Sequence, residues 1–385
     1  MRDILFLAHR MPFPPDRGDK IRGFHILKHL AARARVHLVA FADTPADRDP
    51  APEFRRLLAS CTVVPRTKSR ARALAEALAT GRPVSLTAFA DPRIAAAVEG
   101  HGDMASYVFS GQMAQYVGAP DVMDFVDVDS AKFAAFAESG RGPMRWLMRR
   151  EARLLAAFEH QVAERAGASV FVSAAEAALF GGPRTVAVEN GIDTRHFDPA
   201  ASFERLHASQ GPLVVFTGQM DYRPNVDAVA AFADRTFPAI RRRYPQARFA
   251  IVGRAPVPQV HALAQREGVT VTGEVADVRP WLAAAEVCVA PLLLARGIQN
   301  KVLEAMAMAR PVVASPAAAE GIDHAGCLHV AEPEDAEAVC ALLADPADAH
   351  AIGHRARAQV IRRYAWNARL APLDALLGPE QAKAA

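Results

Sequence analysis

Short runs of aliphatic and β-branched residues alternate with longer amphipathic stretches along the chain, the pattern of strands and helices arranged around parallel sheets. In the first half, residues 4–8, 36–41, 62–64, 107–109, 122–125, 170–172 and 185–188 predict strands. Between 141 and 166, Leu147, Leu154, Leu155, Phe158 and Val162 recur at helical spacing and predict one long helix with a basic first half. The segment VENGIDTRHFDPA (187–200) joins a strand end to Asn190-Gly191 and a polar stretch around Pro199, as expected where one domain hands over to another. Beyond it the alternation restarts, with strands at 213–217, 248–252, 269–272, 287–290 and 311–314 and helices over 226–244, 257–268, 278–284 and 300–309. The pattern predicts an α/β protein with two doubly wound domains, 1–198 and 199–364. A terminal helix over about 365–385 has either domain as its anchor.

Composition agrees with two globular domains. At 385 residues the chain exceeds what one ordinary hydrophobic core organises, and 51% hydrophobic with 23% charged residues is a normal globular mixture. A net charge of only +3, from 45 Lys and Arg against 42 Asp and Glu, argues against a dedicated nucleic-acid binder. Cys61, Cys288, Cys327 and Cys340 lie far apart without metal-ligand spacing and are expected to be reduced core residues. The first apolar run is too short for a signal peptide, and the longest, 287–295, falls well short of the roughly 18 residues a membrane span requires. A cytoplasmic protein is expected. Two basic clusters, Arg66, Lys68, Arg70 and Arg72, then Arg141, Arg145, Arg149, Arg150 and Arg153, suggest a face resting on anionic lipid at the inner membrane, or else an ordinary solvated helix face.

In parallel sheets, ligands sit beyond the carboxyl ends of strands, where loops lead into helix N-termini. Glycines and polar residues gather at such loops here: 12–20, Asn190-Gly191, Gly218 to Asn225, Gly253-Arg254, Gly273-Glu274 and Arg296 to Lys301. The stretch ARGIQNKVLEAMAMARPVVAS (295–315) is the most informative. Gly297 leaves room for backbone approach, the helix opening near Gln299 offers free amides and a positive dipole end, and Arg296 and Lys301 flank it, a suitable seat for a diphosphate. Glu304, three residues beyond Lys301, either accepts both hydroxyls of a ribose or forms an (i, i+3) surface pair with the lysine.

These residues resemble glycosyltransferase family 4. GIQNKVLEAMAMARPVVAS resembles the family's donor-binding segment and VENGIDTRHFDP its interdomain segment, while FTGQMDYRPNVDAVAAF, IVG at 251–253 and VTGEVADVRPWL follow the family order, so the likeness covers nearly the whole chain. HRMPFPPDRGDKIRGFHILKHLA and DFVDVDS resemble the subgroup associated with exosortase and PEP-CTERM exopolysaccharide systems. The resemblance implies a GT-B fold, two Rossmann-like domains facing across a cleft, and no catalytic metal or other cofactor. It further implies transfer, with retention, of a sugar from a nucleotide diphosphate to a saccharide or lipid-linked saccharide.

Carried over residue by residue, the resemblance makes Glu304 the acid that holds the donor ribose, with Ile298 in the same donor segment. Gly18 becomes the glycine approaching the donor, and Asn190, Gly218, Gly253, Arg254, Arg296, Gly297 and Lys301 complete the donor site. Asp127 and Asp129 become the carboxylates that orient an acceptor hydroxyl or stabilise developing positive charge, with capping of the next helix as the alternative for Asp129. Asp19 is placed on the acceptor side; Lys20 and Arg22 contact donor or acceptor or else are solvated helix charges, and His9 and His25 either line the acceptor or are structural. The sequence departs from the family at three points. Arg296 stands where the first acid of the family's glutamate pair is expected, Val126 where a histidine is, and Gln219 with Pro224 where Arg and Lys are, leaving Arg223 as either a substitute cation or a solvated loop arginine. Two other readings stay open: a sugar-nucleotide epimerase or phosphorylase of the same fold, and a nucleotide-sugar-binding assembly protein with degenerate catalytic residues. A dinucleotide oxidoreductase is disfavoured, because the first strand leads into HRMPFPPDRG rather than a GxGxxG turn.

Overall fold

The computed structural model describes residues 2–206, 211–295 and 297–377. The chain divides into two compact units, one of residues 1–190 with 369–385, the other of residues 191–368.

In the first unit, β1 (Asp3–Ala8), β2 (Arg35–Ala42), β3 (Ser60–Pro65), β4 (Ala105–Phe109), β5 (Val122–Val126), β6 (Ala168–Phe171) and β7 (Thr185–Ala187) form one sheet in the order β3-β2-β1-β4-β5-β6-β7. Every neighbouring pair is parallel. Helices on both faces explain why the strands read as continuous apolar runs: Ile4 to Ala8 are each at most 4% exposed. The helices that matter below are α1 (Gly18–Ala31), α2 (Asp129–Ser139), α3 (Gly142–Arg165) and α4 (Ala174–Phe180). A two-residue turn joins α2 to α3, so these helices form a hairpin.

In the second unit, β8 (Leu213–Thr217), β9 (Arg248–Val252), β10 (Val269–Gly273), β11 (Val287–Ala290), β12 (Val312–Ala314) and β13 (His329–Val330) pair in the order β10-β9-β8-β11-β12-β13, again all parallel. The two-residue strand β13 is absent from the sequence reading, because so short a run carries no periodicity. Helix α5 (Arg223–Ala231) follows β8 and α6 (Asn300–Ala307) follows β11. The helix expected over 226–244 is one helical body with a π turn at Phe232–Thr236. Pro238 has no N–H to give and its ring crowds the carbonyl four residues back, and the wider turn just before it accommodates both. The helix expected over 257–268 is limited to Pro258–Ala262 and one 3-10 turn. A last helix, α7 (Trp366–Leu376), carries Arg369, which pairs with Glu189 at 2.9 Å, and Asp374, which meets His29 at 2.8 Å. The four cysteines are free, and Cys288, Cys327 and Cys340 are buried.

The first unit holds a buried ionic network that the sequence does not advertise. Asp124, fully buried in β5, accepts from Arg22 Nη2 at 2.9 Å and from the Tyr107 hydroxyl at 2.7 Å; its other oxygen accepts the Val126 amide at 3.0 Å. Arg22, 1% exposed, also donates to the Val188 carbonyl at 2.7 Å and to Asn190 Oδ1 at 3.1 Å. The pair thus ties α1 to the ends of β5 and β7. Removing one partner strands the other charge away from water, so Asp124→Ala is expected to cost ~3–5 kcal/mol. A urea-unfolding midpoint equal to that of the parent protein would contradict it.

Candidate active site

In each unit the strand order reverses beside the first strand, at β1/β4 and at β8/β11, and crevices open beyond the carboxyl ends at such points. In the second unit the loops after β8, β9 and β10, with the start of α6, enclose a cavity of about 460 Å³. That is within the range of small-molecule sites.

Two glycines make this arrangement possible. A Cβ on Gly253 would lie 1.7 Å from the Gly218 carbonyl oxygen, so the loops after β8 and β9 touch backbone to backbone. A Cβ on Gly218 would lie 2.8 Å from Asn225 Nδ2 and 3.1 Å from Lys301 Nζ, so the polar side chains close directly over that glycine. Main-chain bonds from Gly253 N to Gly273 O (3.2 Å) and from Met220 N to Arg254 O (2.8 Å) knit the loops further.

Lys301 is the central cation. Its Nζ donates to Asn225 Oδ1 at 2.5 Å and stands 4.2 Å from the centroid of the Phe216 ring, while Asn225 in turn donates to the Gln219 carbonyl at 2.9 Å. Burial lowers Lys301 to about 8 against the pull of Glu304, and burial pushes Glu304 up to about 7 against the pull of Lys301. Both charges are therefore poorly solvated, which an anion beside Lys301 and hydroxyl donors beside Glu304 would relieve. Ile298, Gln299, Asn300 and Lys301 line the cavity, so the first turn of α6, whose amides lack partners within the helix, borders it. Arg254 lines it as well, with its guanidinium on Gln219 Oε1 at 3.0 Å.

Of the donor residues expected from the sequence, Gly218, Gly253, Arg254, Ile298, Lys301 and Glu304 border this one cavity. Gly297 immediately precedes its lining, in a left-handed conformation at φ +66°, and Arg296 lies outside the described residues. Arg223 is not brought there: 81% exposed, it pairs with Asp227 one helical turn on at 2.7 Å. Gly18 and Asn190 belong to the first unit, Gly18 opening α1 and Asn190 accepting from Arg22. Asn225, Gln219 and Glu274 also line the cavity; they fall in loops that the sequence marks for ligands, but nothing in the sequence assigns these three side chains a ligand role. The available signal for Asn225 was an asparagine in the first turn of the helix after a glycine loop.

In the first unit, the loop after β1 carries a dense ionic cluster. Asp19 meets His9 Nε2 at 3.3 Å and Arg17 Nε at 2.8 Å, and it pairs with Arg10, which also pairs with Asp43. Burial opposes the charge on Asp19, but the His9 hydrogen bond and the arginines outweigh it and hold the carboxyl well below its usual range. The His9 ring stacks on Phe109 at 5.8 Å, and its Nδ1 is buried without a hydrogen-bond partner among the described residues. Lys20 does not face solvent as an acceptor contact would. It is 7% exposed and bonded at 3.1 Å to Asp47, which accepts the amides of Asp43 and Thr44. Arg22 is likewise turned inward, and the His25 ring lies edge-on to Phe24.

Asp127 and Asp129 share Lys132, at 2.6 and 3.4 Å, and Asp129 also accepts from Gln112 Nε2 at 3.0 Å. The N-cap of α2 is Val128, so Asp129 acts on that helix through its dipole from the first turn and not as a side-chain cap. Both carboxylates follow Val126, a β-branched residue at φ +70°; such strain is worth about 1–3 kcal/mol and recurs at functional sites.

Residues 211–345 match the family described as glycosyl transferases group 1. A phosphatidyl-myo-inositol mannosyltransferase from Propionibacterium freudenreichii subsp. shermanii is 26% identical over 161 residues, a match that spans 40% of this chain and 40% of that relative. Among solved structures, sucrose-phosphate synthase from Thermosynechococcus elongatus is similar over 98% of both chains, at TM-score 0.60 and 18% identity. WaaG, a glycosyltransferase involved in lipopolysaccharide biosynthesis, gives 0.61 and 18% over 98% of this chain and 100% of its own. HepE from Anabaena, solved with UDP and glucose, gives 0.58 and 17% over 98% and 99%. At such identities the likeness establishes the fold, and that fold is GT-B. The group 1 match covers residues 211–345, about a third of the chain, and over them the chain is similar to that family.

The depressed Lys301 sets a pH dependence. Its charge is present below about pH 8 and is lost as pH rises through that value. Affinity for a nucleoside diphosphate is expected to fall above it, by up to about tenfold per pH unit. Lys301→Arg, which stays charged, should remove the inflection in calorimetric titrations. A wild-type profile that stays flat well above pH 8 would refute the assignment.

Proposed function

We propose that this protein transfers a glycosyl unit from a nucleoside diphosphate sugar to a saccharide or lipid-linked saccharide, with retention at the anomeric carbon, in exopolysaccharide assembly in the cytoplasm. The observation that carries the reading is the ammonium of Lys301, held by Asn225 beside the first turn of α6 with Glu304 on the same cavity wall. Departure of a nucleoside diphosphate puts negative charge on its terminal phosphate, and cationic and amide donors aimed there stabilise the transition state more than the ground state. In this reaction Lys301 and the α6 amides supply that stabilisation without a divalent cation, Arg254 adds to it, and Glu304 accepts the ribose hydroxyls. HepE, whose structures hold UDP, UDP-glucose or UDP with glucose, supports a nucleotide donor. The mannosyltransferase relative, whose name specifies a phosphatidyl-myo-inositol acceptor, supports a lipid-linked one. Asp127 and Asp129 orient the acceptor hydroxyl in this scheme, with His9 and the Asp19 cluster shaping the acceptor side.

A thermal-shift panel across UDP-, GDP- and ADP-sugars identifies the donor. A donor at 100 times its Kd stabilises the native state by roughly 2.7 kcal/mol. Product analysis with that donor then tests the chemistry. Transfer that depends on an added saccharide and persists in EDTA is expected, whereas rearrangement or breakdown of the donor alone would mark an epimerase or phosphorylase. Lys301→Ala is expected to lower turnover by ~10²–10³-fold, the usual cost of one transition-state donor. Unchanged turnover in a folded variant contradicts the role of Lys301.

A further inference from the structure

The two basic clusters that look equivalent in sequence are different objects in the structure. In the first, Arg66 pairs with Asp43 at 2.7 Å and lies over the Phe89 ring, while Lys68 bonds Glu76 at 2.8 Å and the Thr87 carbonyl at 2.9 Å, so half of its charge is spent inside the unit. In the second, Arg150 is structural, donating to the carbonyls of Ala77 and Arg82. Arg141 at the N-cap of α3 and Arg145, Arg149 and Arg153 along it remain: they recur every four residues, are all exposed, and have no side-chain hydrogen bond or ion pair among the described residues. Like charges at (i, i+4) repel, and cations near a helix N-terminus oppose its dipole. The first turn of α3 carries no acidic residue and its N-cap makes no side-chain bond. The helix therefore holds an unfavourable row of charge that an external anion would relieve.

Beside this row lies a groove of about 580 Å³ between α2, α3 and α4. Its apolar lining is mostly alanine, including Ala131 and Ala134 from α2 and Ala152 and Ala156 from α3, with Leu179 and Phe180 from α4, and its polar lining is Arg149, Arg153, His160 and Ser130 against the single acid Glu138. Large apolar side chains stand exposed at the hairpin tip and along its flank: Phe136 (58%), Met144 (57%) and Trp146 (58%). Trp146 precedes Arg149 by three residues, so the two share a helix face. Exposed Trp146 and Arg149 on one helix face, with Phe136 and Met144 exposed beside the same hairpin turn, match a bilayer interface, where the aromatic ring sits at headgroup depth and arginine meets phosphate.

We infer that the α2–α3 hairpin is a lipid-docking element, its tip resting in an anionic bilayer interface while Arg149 and Arg153 take a lipid phosphate at the mouth of the alanine-lined groove. Val128 and Ser130, on either side of Asp129, line the same groove, so a phosphate held by Arg149 and Arg153 brings the membrane surface toward the carboxylates assigned to the acceptor. This assignment is independent of the transfer chemistry, because vesicle binding needs no nucleotide sugar.

Vesicle flotation of the full chain at low salt tests it, with phosphatidylcholine vesicles against vesicles containing phosphatidylglycerol. Binding to the anionic vesicles alone is expected, with a blue shift of Trp146 emission that disappears in Trp146→Phe. Each arginine near the surface contributes about fivefold, so Arg149→Gln with Arg153→Gln should weaken vesicle binding by about thirtyfold. The thermal midpoint should not fall, since neither side chain has a partner to lose and the loss of like charge relieves repulsion along α3. Arg70→Gln with Arg72→Gln should leave binding within a few-fold of the parent protein. Equal binding to neutral vesicles, an unaffected Arg149 and Arg153 variant, or a loss confined to the Arg70 and Arg72 variant would each overturn the proposal. So would displacement by inorganic phosphate beyond the effect of matched sodium chloride, which would mark a free-phosphate site.

Discussion

An ammonium group drawn partly out of water must be held by something, and in the second unit that holder is the Asn225 side chain, itself fixed by the Gln219 carbonyl. The chain Lys301–Asn225–Gln219 connects the first turn of α6 to the loop after β8, on neighbouring strands of the switch point. Everything else around the cavity conforms to it. Gly218 is bare because the lysine and asparagine close over it, and Gly253 is bare because Gly218 must be where it is. A partly desolvated cation facing a partly desolvated acid is a costly resting arrangement, and proteins keep such arrangements where a ligand later completes the charge balance.

The first unit solves a comparable problem with a different emphasis. Its charges after β1 are largely satisfied among themselves, through Asp19, Arg10, Asp43 and Arg66 on one side and Lys20 with Asp47 on the other. These groups stiffen the loops around His9 and leave few free cations at the strand ends. Beneath them, the Arg22–Asp124 pair locks α1 to β5 and β7, and the same carboxylate accepts the amide of the strained Val126. The position of Asp127 is thus set by a buried side chain three residues earlier.

The strands were legible because parallel strands covered on both faces leave unbroken apolar runs, which is why 248–252 and 287–290 coincide with β9 and β11. Helix α6 and its Lys301 and Glu304 were legible because a helix start, a cation and an acid fall within six residues. What the sequence hid depends on contacts between distant positions. Nothing local distinguishes Arg22 or Lys20 from the solvated charges of any helix, and their burial follows from Asp124, 102 residues away, and Asp47, 27 residues away. Asn225 reads as a turn former until Lys301, 76 residues later, folds onto it. Arg223, the more conspicuous cation, is satisfied by Asp227 within its own helix.

The backbone contact between Gly253 and Gly218 also limits how this protein can diversify. With no room for even a methyl group between them, the loops after β8 and β9 behave mechanically as one piece, and lengthening or reshaping either would displace the other together with Lys301. Variation in what the cavity accepts is thereby channelled into side chains that project from a fixed frame, chiefly Gln219, Arg254 and Glu274. Sequence drift at those three positions would retune the pocket while the scaffold stays rigid.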